Sequence, residues 1–429
     1  MKIGIFTDTY HPSVNGIVAV TDILRRNFEA FGHEVFVFAP GEGLKTDDTD
    51  AHLIRFPAVK GVLYDDFNAS LFFVPTVLAD IKKLDLDVIH FLTPGQVGLM
   101  GLYAAHELKI PLVSEYCTDL FEYVAHYPIA LPVLIAAISL LPLAVPMSPY
   151  ELLAALKASR PRLGVTKWNK ALVKELLTIL HASCDAVIVH SRKSARQLSS
   201  WQTSEFSYRS YLIPTGVDHL PVPTPAKVEA FKKKFSIAIT DEVVVYVGRL
   251  SAEKNLDVLI PAIEQVRLSR PHAKLLFVGD FDYRPTLEAK ARASTAAQAI
   301  IFAGQMPRTS LGTPLALAKV FVFPSLSDTQ GLVLHEAALA GLPIVLTDQL
   351  VSEVVKNNQN GLFAKPNPTA IAEKIVRILA SSSLQKSMGS QSKQIAGHFS
   401  ERAQAQKIIT LYTQIIRQRK RLANSRLHS

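Results

Sequence analysis

A chain of 429 residues, 48% of them apolar and 19% charged, is too long for one ordinary hydrophobic core and too apolar for a disordered polymer, so two globular domains are expected. Lys and Arg number 46 against 37 Asp and Glu, a formal net charge of +9 that suits anionic partners such as nucleotide phosphates or lipid head groups. The cationic stretches carry neither interleaved aromatics nor a known motif, which sets nucleic acid aside. Cys117 and Cys184, with no CxxC between them, argue against a disulfide framework or a zinc site and fit a reducing compartment.

The N-terminus "MKIGIFTD" enters a strand pattern without a signal-peptide layout, so a cytoplasmic protein is expected. Strands follow at "HEVFVFAP" (33–40), "DVIHFLT" (87–93), "PLVSEYC" (111–117) and "DAVIVHS" (185–191), with helical patterns between them at 18–32 and 98–109. Strand–helix alternation implies a parallel sheet covered on both faces. "YLIPTGVDHLPVPTP" (211–225), dense in Pro and Gly, reads as a linker. The alternation then restarts at 243–250, 274–280, 299–304, 320–325 and 343–348. The fold class is therefore α/β, with two Rossmann-like doubly wound domains.

One segment breaks this rhythm. "YPIALPVLIAAISLLPLAVP" (127–146) has no charged residue. Its length would allow a membrane span. Pro128, Pro132, Pro142 and Pro146 argue against one, since each removes a backbone bond that lipid cannot replace. A buried hairpin and an interfacial flap both remain open. The basic stretch 157–170 favours the flap, because cations are drawn to anionic lipid.

In open parallel sheets ligands bind at the carboxyl ends of strands. The loop "TDTYHPSVNGIVAV" brings Gly16 to a helix start, where an anion can approach backbone N–H groups; an ordinary strand–helix turn reads the same way. "YVGRLSAEKN" (246–255) places Gly248, Arg249 and Lys254 at another strand end, two cations around a glycine, which suits a diphosphate; a solvated basic loop reads the same way. "FVFPSLSDTQGLVLHEAALAGLPIV" (321–345) runs from a strand through a polar loop into a small-residue helix, with Asp328 and Glu336 on either side of the helix start. Carboxylates accept hydrogen bonds from hydroxyls, so a sugar and a ribose could each take one acid. Asp328 alone also suits a helix cap, and Glu336 an exposed helix position. "KTDDTD" (45–50) holds an Asp48-Thr49-Asp50 triplet that reads as a solvated loop rather than a metal site.

Together these features resemble the retaining glycosyltransferases of family 4, the two-Rossmann-domain (GT-B) type, in which the two domains face a cleft. The motifs are "DTYHPSVNGIV", "GHEVFVFAP", "VGRLSAEKN", "FVGD" and the acid-x7-acid stretch at 328–336. The resemblance spans residues 1–420. It implies an N-terminal acceptor domain over 1–215 with an apolar and basic insertion at 127–165. A nucleotide-sugar domain over 216–400 and a C-terminal helix with a basic tail over 401–429, crossing back to the first domain, complete the layout.

By the same resemblance Asp328 contacts the donor sugar and Glu336 the ribose hydroxyls. Amides at Gln330, Gly331 and Leu332 bind sugar and phosphate oxygens. Arg249 and Lys254 neutralise the leaving diphosphate, and Gly16 and Gly248 lie beside it. "PLVSEYCTDLFEYVAHY" (111–127) is similar to a segment of lipid-glycosylating members such as glycosyldiacylglycerol synthases and related mannosyltransferases. It places Cys117, Thr118 and His126 on the acceptor side. Asp119 and His126 are the candidates for a general base, and Asp119 also reads as a structural acid. Four positions depart from the pattern: Asp328 stands where Glu is usual, Cys117 where His is frequent, Lys319 where Asp is usual and His190 where Pro is usual.

The implied reaction moves a hexose from a nucleotide-diphosphate sugar, with retention, to a membrane lipid at an anionic inner surface. Cations rather than a metal oppose the leaving-group charge, so no cofactor is expected. Two rivals are a soluble enzyme acting on a glycan or small acceptor, and an inactive binding or scaffold protein on the same fold.

Overall fold

A computed structural model describes the chain except Val14, residues 44–48, 61–67, 71–73, Thr118, Leu120, 122–164 and 428–429. The apolar segment 127–146, Thr118, His126 and Asp48 lie outside the described residues. Two compact units are present. One comprises Met1–Pro214 with Glu401–Ser429, the other Thr215–Ser400.

In the first unit the strands are β1 (Lys2–Phe6), β2 (Glu34–Pro40), β3 (Leu53–Phe56), β4 (Ala58–Lys60), β5 (Asn68–Ser70), β6 (Val88–Phe91), β7 (Leu112–Glu115), β8 (Ala186–Val189) and β9 (Ser210–Leu212). Seven form one sheet in the order β3-β2-β1-β6-β7-β8-β9, every neighbouring pair parallel. β4 and β5 pair antiparallel by themselves. The strands are apolar throughout because both faces are covered. Ile3 and Ile5 of β1 point into one core with Leu24, Phe28 and Val88, while Phe6 points into the other with Phe38, Phe91 and Met100. This is the two-residue period of a strand serving two cores.

The long helix Glu401–Leu427 belongs to this unit. Ala405, Ile408, Leu411, Tyr412 and Ile415 recur at helical spacing and enter the core that holds Ile3 and Phe28. Arg26 pairs with the buried Glu401 at its start. Its basic end is held as well: Arg419 Nε donates to Asp185 Oδ1 at 2.8 Å. The segment 211–225 is not all linker either. Ser210–Leu212 is the edge strand β9, too short to show an alternation in sequence.

The second unit carries β10 (Glu242–Val247), β11 (Ala273–Val278), β12 (Ile300–Phe302), β13 (Ala318–Phe323), β14 (Ile344–Leu346) and β15 (Gly361–Phe363) in the order β12-β11-β10-β13-β14-β15, all parallel. The chain works outward from β10 on one side, then starts again on the other with β13. The loops leaving β10 and β13 therefore diverge, which opens a crevice at the strand ends. No helix among the described residues is long and apolar enough to cross a membrane.

Candidate active site

The diverging loops of the second unit carry the residues singled out in sequence. β10 ends at Gly248, whose φ of +150° suits only glycine. Beside it Gly279, after β11, has φ +143°, and a Cβ there would lie 1.9 Å from the Gly248 carbonyl oxygen. The pair lets the β10 and β11 ends approach without side chains between them. Tyr246 Oη donates to the Arg249 carbonyl at 3.1 Å and fixes the turn.

Arg249 and Lys254 leave this turn differently. The Arg249 guanidinium lies over the Phe281 ring, 5.1 Å from its centre, and 3.7 Å from Glu253 Oε1; its side chain is 54% exposed. Lys254 Nζ instead donates to Asp328 Oδ1 at 2.7 Å, with both side chains largely buried. Asn255, in the left-handed region at φ +56°, donates from Nδ2 to the Pro324 carbonyl at 3.3 Å. Ser327 Oγ donates to the Glu253 carbonyl at 3.2 Å. These bonds tie the β10 loop to the β13 loop. The other oxygen of Asp328, Oδ2, is buried with no hydrogen-bond partner among the described residues. An ionised oxygen left so is an acceptor awaiting a donor.

Helix Leu332–Leu339 follows β13. Gly331 is its N-cap, and among the described residues no side chain caps the first amides. Such an end carries partial positive charge and free-pointing N–H groups, suited to an anion or a hydroxyl. Gln330 presents only its backbone here. Its side chain forms a two-bond ladder with Thr215, accepting from Thr215 N at 3.0 Å and donating to Thr215 O at 3.2 Å. His335 Nε2 lies 3.1 Å from Gln330 Nε2, and burial pushes its pKa down to about 3, so the ring is neutral at ordinary pH.

Glu336 is 7% exposed. Burial pushes its carboxyl up, and Arg308, donating from Nε at 2.8 Å, draws it part of the way back. Arg308 was not singled out in sequence. It lies in "GQMPRTSL", a strand-end loop after β12, and inspection of every strand end would have included it. Glu253, between the two cations, was passed over within a loop already quoted.

In the first unit Gly16 opens helix Gly16–Ala30, capped by Asn15, whose Oδ1 accepts from the amides of Ile17 and Val18. Apart from its chain neighbours and its own helix backbone, no atom of the described residues lies within 4 Å of where a Gly16 Cβ would stand. The sheet's switch point, between β1 and β6, is closed by Asp8. Its carboxylate accepts from Thr93 Oγ1, Gly95 N and Val97 N, capping helix Gln96–Glu107. Asp119 is buried and engaged on both oxygens, by Tyr116 Oη at 3.0 Å and by Gln197 Nε2 at 3.2 Å. Cys117 follows β7, with Sγ 3.7 Å from Nε2 of His190, which follows β8.

A parallel-sheet unit with a glycine turn, two cations, an unpartnered carboxylate oxygen and an open helix N-terminus at one switch point is a nucleotide-binding unit of the two-domain glycosyltransferase class. Two family models match the chain: Glycosyltransferase Family 4 over residues 14–219 and Glycosyl transferases group 1 over residues 227–395. The chain belongs to the glycosyltransferases, with a family 4 domain followed by a group 1 domain.

Among curated relatives, it is 27% identical over 375 residues to the alpha-monoglucosyldiacylglycerol synthase of Acholeplasma laidlawii, covering 86% of this chain and 85% of that one. It is 28% identical over 349 residues to the Streptococcus pneumoniae enzyme of the same name, covering 80% and 70%. A GDP-mannose-dependent alpha-mannosyltransferase of Corynebacterium glutamicum is 24% identical, with 80% and 72% covered. Among solved structures, Anabaena HepE in complex with UDP aligns with a TM-score of 0.67 at 19% identity, covering 96% of this chain and 100% of that one. Sucrose-phosphate synthase from Thermosynechococcus elongatus aligns at 0.65 and 22%, covering 96% and 98%. These two show the fold.

Proposed function

We propose that the chain transfers a hexose, with retention, from a nucleotide-diphosphate sugar to a membrane lipid of the diacylglycerol class. The observation that carries this reading is the Lys254–Asp328 pair with its unpartnered Asp328 Oδ2, at a switch point beside an uncapped helix N-terminus. A hexose hydroxyl supplies the donor that this oxygen lacks. The amides of Gln330, Gly331 and Leu332 donate to sugar and phosphate oxygens, and Glu336 accepts from the ribose hydroxyls. As the glycosidic bond breaks, positive charge develops on the sugar ring and negative charge on the diphosphate. Arg249 and Lys254 oppose the latter with charge already in place, so the transfer itself needs no metal. In this reading Gly248 keeps the turn narrow enough for phosphate to reach the backbone.

The lipid acceptor rests on the two diacylglycerol-glycosylating relatives and on the apolar stretch 127–146. The N-terminal unit receives the acceptor, with Cys117, Thr118 and His126 on that side. Asp119, with both oxygens engaged, acts as a structural acid rather than a base. The enzyme works at the inner face of the membrane without crossing it.

The deciding experiment offers the purified chain labelled UDP- and GDP-sugars with vesicles containing diacylglycerol, and in parallel with a water-soluble glycan acceptor. Label in the lipid fraction supports the proposal. Label only in the glycan points to the soluble alternative. Tight donor binding with neither transfer nor donor hydrolysis would make it a binding protein.

A further inference from the structure

The ends of β6, β7 and β8 carry a buried cluster that the donor site does not use. Glu115 Oε1 lies 3.0 Å from His190 Nε2, and Glu115 Oε2 lies 3.0 Å from His90 Nε2. Cys117 Sγ lies 3.7 Å from His190 Nε2. His90, Glu115 and His190 are each no more than 3% exposed.

The protons can be assigned from the neighbours. His190 Nδ1 lies 3.0 Å from the carbonyl oxygen of Ile213. A carbonyl only accepts, so Nδ1 carries the hydrogen, and the neutral ring has its lone pair on Nε2. That lone pair faces a carboxylate oxygen and a sulfur. A proton on Nε2 makes the ring an imidazolium facing Glu115, and a metal ion in that proton's place would be shared by all three atoms. His90 has a different outer neighbour. Tyr412 Oη, 2.6 Å from His90 Nδ1, donates to it, which leaves Nε2–H turned toward Glu115 Oε2.

We propose that Glu115 Oε1, Cys117 Sγ and His190 Nε2 bind a divalent cation of the zinc class. The three ligand atoms lie within 4.8 Å of one another. Tetrahedral zinc, with bonds of about 2.0 Å to N and O and about 2.3 Å to S, holds an N and an O ligand about 3.3 Å apart and an N and an S ligand about 3.6 Å apart. The cluster's spacings of 3.0 and 3.7 Å match within the reach of a side-chain rotation.

Charge balances too: one carboxylate, one thiolate and a neutral imidazole neutralise a dication, so the buried site carries no net charge. The Cys117 thiol gives its proton to solvent on binding. The outer contacts are those of a metal site, with the ligating His190 held by a backbone carbonyl and the ligating Glu115 by His90, itself fixed by Tyr412. Glu115 and Cys117 border a small cavity together with Ser114 and His181. His181 Nδ1 is buried without a hydrogen-bond partner among the described residues, and a water in the fourth metal position supplies it with one. This cation belongs to the N-terminal unit, whereas Arg249 and Lys254 belong to the other.

The test uses the tag-free full chain, stripped with a chelator and titrated with zinc against a competing indicator, then with cobalt. One equivalent of zinc is expected, with proton release and a raised Tm. Cobalt should give tetrahedral d–d bands and a thiolate-to-cobalt charge-transfer band. Cys117→Ser and His190→Gln should each weaken zinc on the order of a hundredfold, and Cys117→Ser should abolish the charge-transfer band. Cys184→Ser should leave both unchanged. Folded chain that takes up no stoichiometric zinc overturns the proposal, as does a thiolate band that survives Cys117→Ser. Should a variant fail to fold, the unmutated chain decides: cobalt bound without a thiolate band also overturns it.

Discussion

Arg308 Nε donates to Glu336 Oε1 at 2.8 Å, and so fastens the loop after β12 to the middle of the helix after β13. The contact opposes burial, which raises this carboxyl, and draws it part of the way back toward ionisation. An ionised acid accepts from two ribose hydroxyls; a protonated one does so poorly. Arg308 therefore sets the state of the residue proposed to hold the nucleoside.

Arg308→Ala should raise the Glu336 carboxyl further. Nucleoside-diphosphate affinity of the variant should then fall as pH drops from about 8 toward about 5, more steeply than in the unmutated chain. Glu336→Gln should bind weakly and with little dependence on pH. Calorimetric titration with UDP and GDP at several pH values reads all three. Equal pH profiles for Arg308→Ala and the parent would detach Arg308 from this role.

Arg249→Ala should lower turnover about a hundredfold, on the order of 3 kcal/mol of barrier, because a preorganised charge at the leaving group is lost. The side chain is 54% exposed, so folding should be spared. Steady-state kinetics beside thermal unfolding make the comparison. Full turnover in the folded variant removes Arg249 from the diphosphate.

His335 supplies a pH test of stability. Burial lowers its pKa from 6.5 to about 3, so the folded chain binds this proton less tightly than the unfolded one. Its contribution is fully present above the unfolded pKa and is lost as pH falls through the window toward 3, at no more than about 1.4 kcal/mol per pH unit. His335→Leu should flatten the acid side of the stability profile, while losing the Gln330 contact at neutral pH. Scanning calorimetry across that window checks it; parallel slopes in variant and parent would refute the assignment.

Arg419, held on Asp185, separates anchoring from surface charge at the C-terminal helix. Arg419→Ala should cost less than about 1 kcal/mol, since the pair is partly exposed. Replacing Arg417, Lys420 and Arg421 by Gln should leave the melting temperature in place and weaken sedimentation with anionic vesicles. Unchanged vesicle binding would place the membrane contact elsewhere.

Leu140→Asp with Leu141→Asp tests the apolar segment 127–146. An interfacial flap predicts a folded protein released from vesicles, because a carboxylate in hydrocarbon is costly. A buried hairpin predicts misfolding instead. Circular dichroism and co-sedimentation on the same double variant tell them apart.

The sequence by itself determined the class of fold and the donor loops. Runs such as "VVVYVG" and "KLLFVG" are apolar at every position because the sheet is covered on both faces, and that requirement is local enough to read directly. Gly248, Arg249, Lys254, Asp328, Gly331 and Glu336 were legible because each lies in the loop, or the first helix, that follows a strand. The partners of these residues were not. Lys254 meets Asp328 across 74 positions and Arg308 meets Glu336 across 28, and such pairs exist only once strand order brings β10, β12 and β13 into one sheet. The edge strand β9 was taken for linker, since three residues show no period. The Glu115, Cys117 and His190 cluster was hidden more deeply. Its members come from the ends of two strands, 73 positions separate Cys117 from His190, and the sequence holds no short metal-binding spacing. Only the parallel pairing of β7 with β8 sets a carboxylate, a thiol and an imidazole against one point inside the unit.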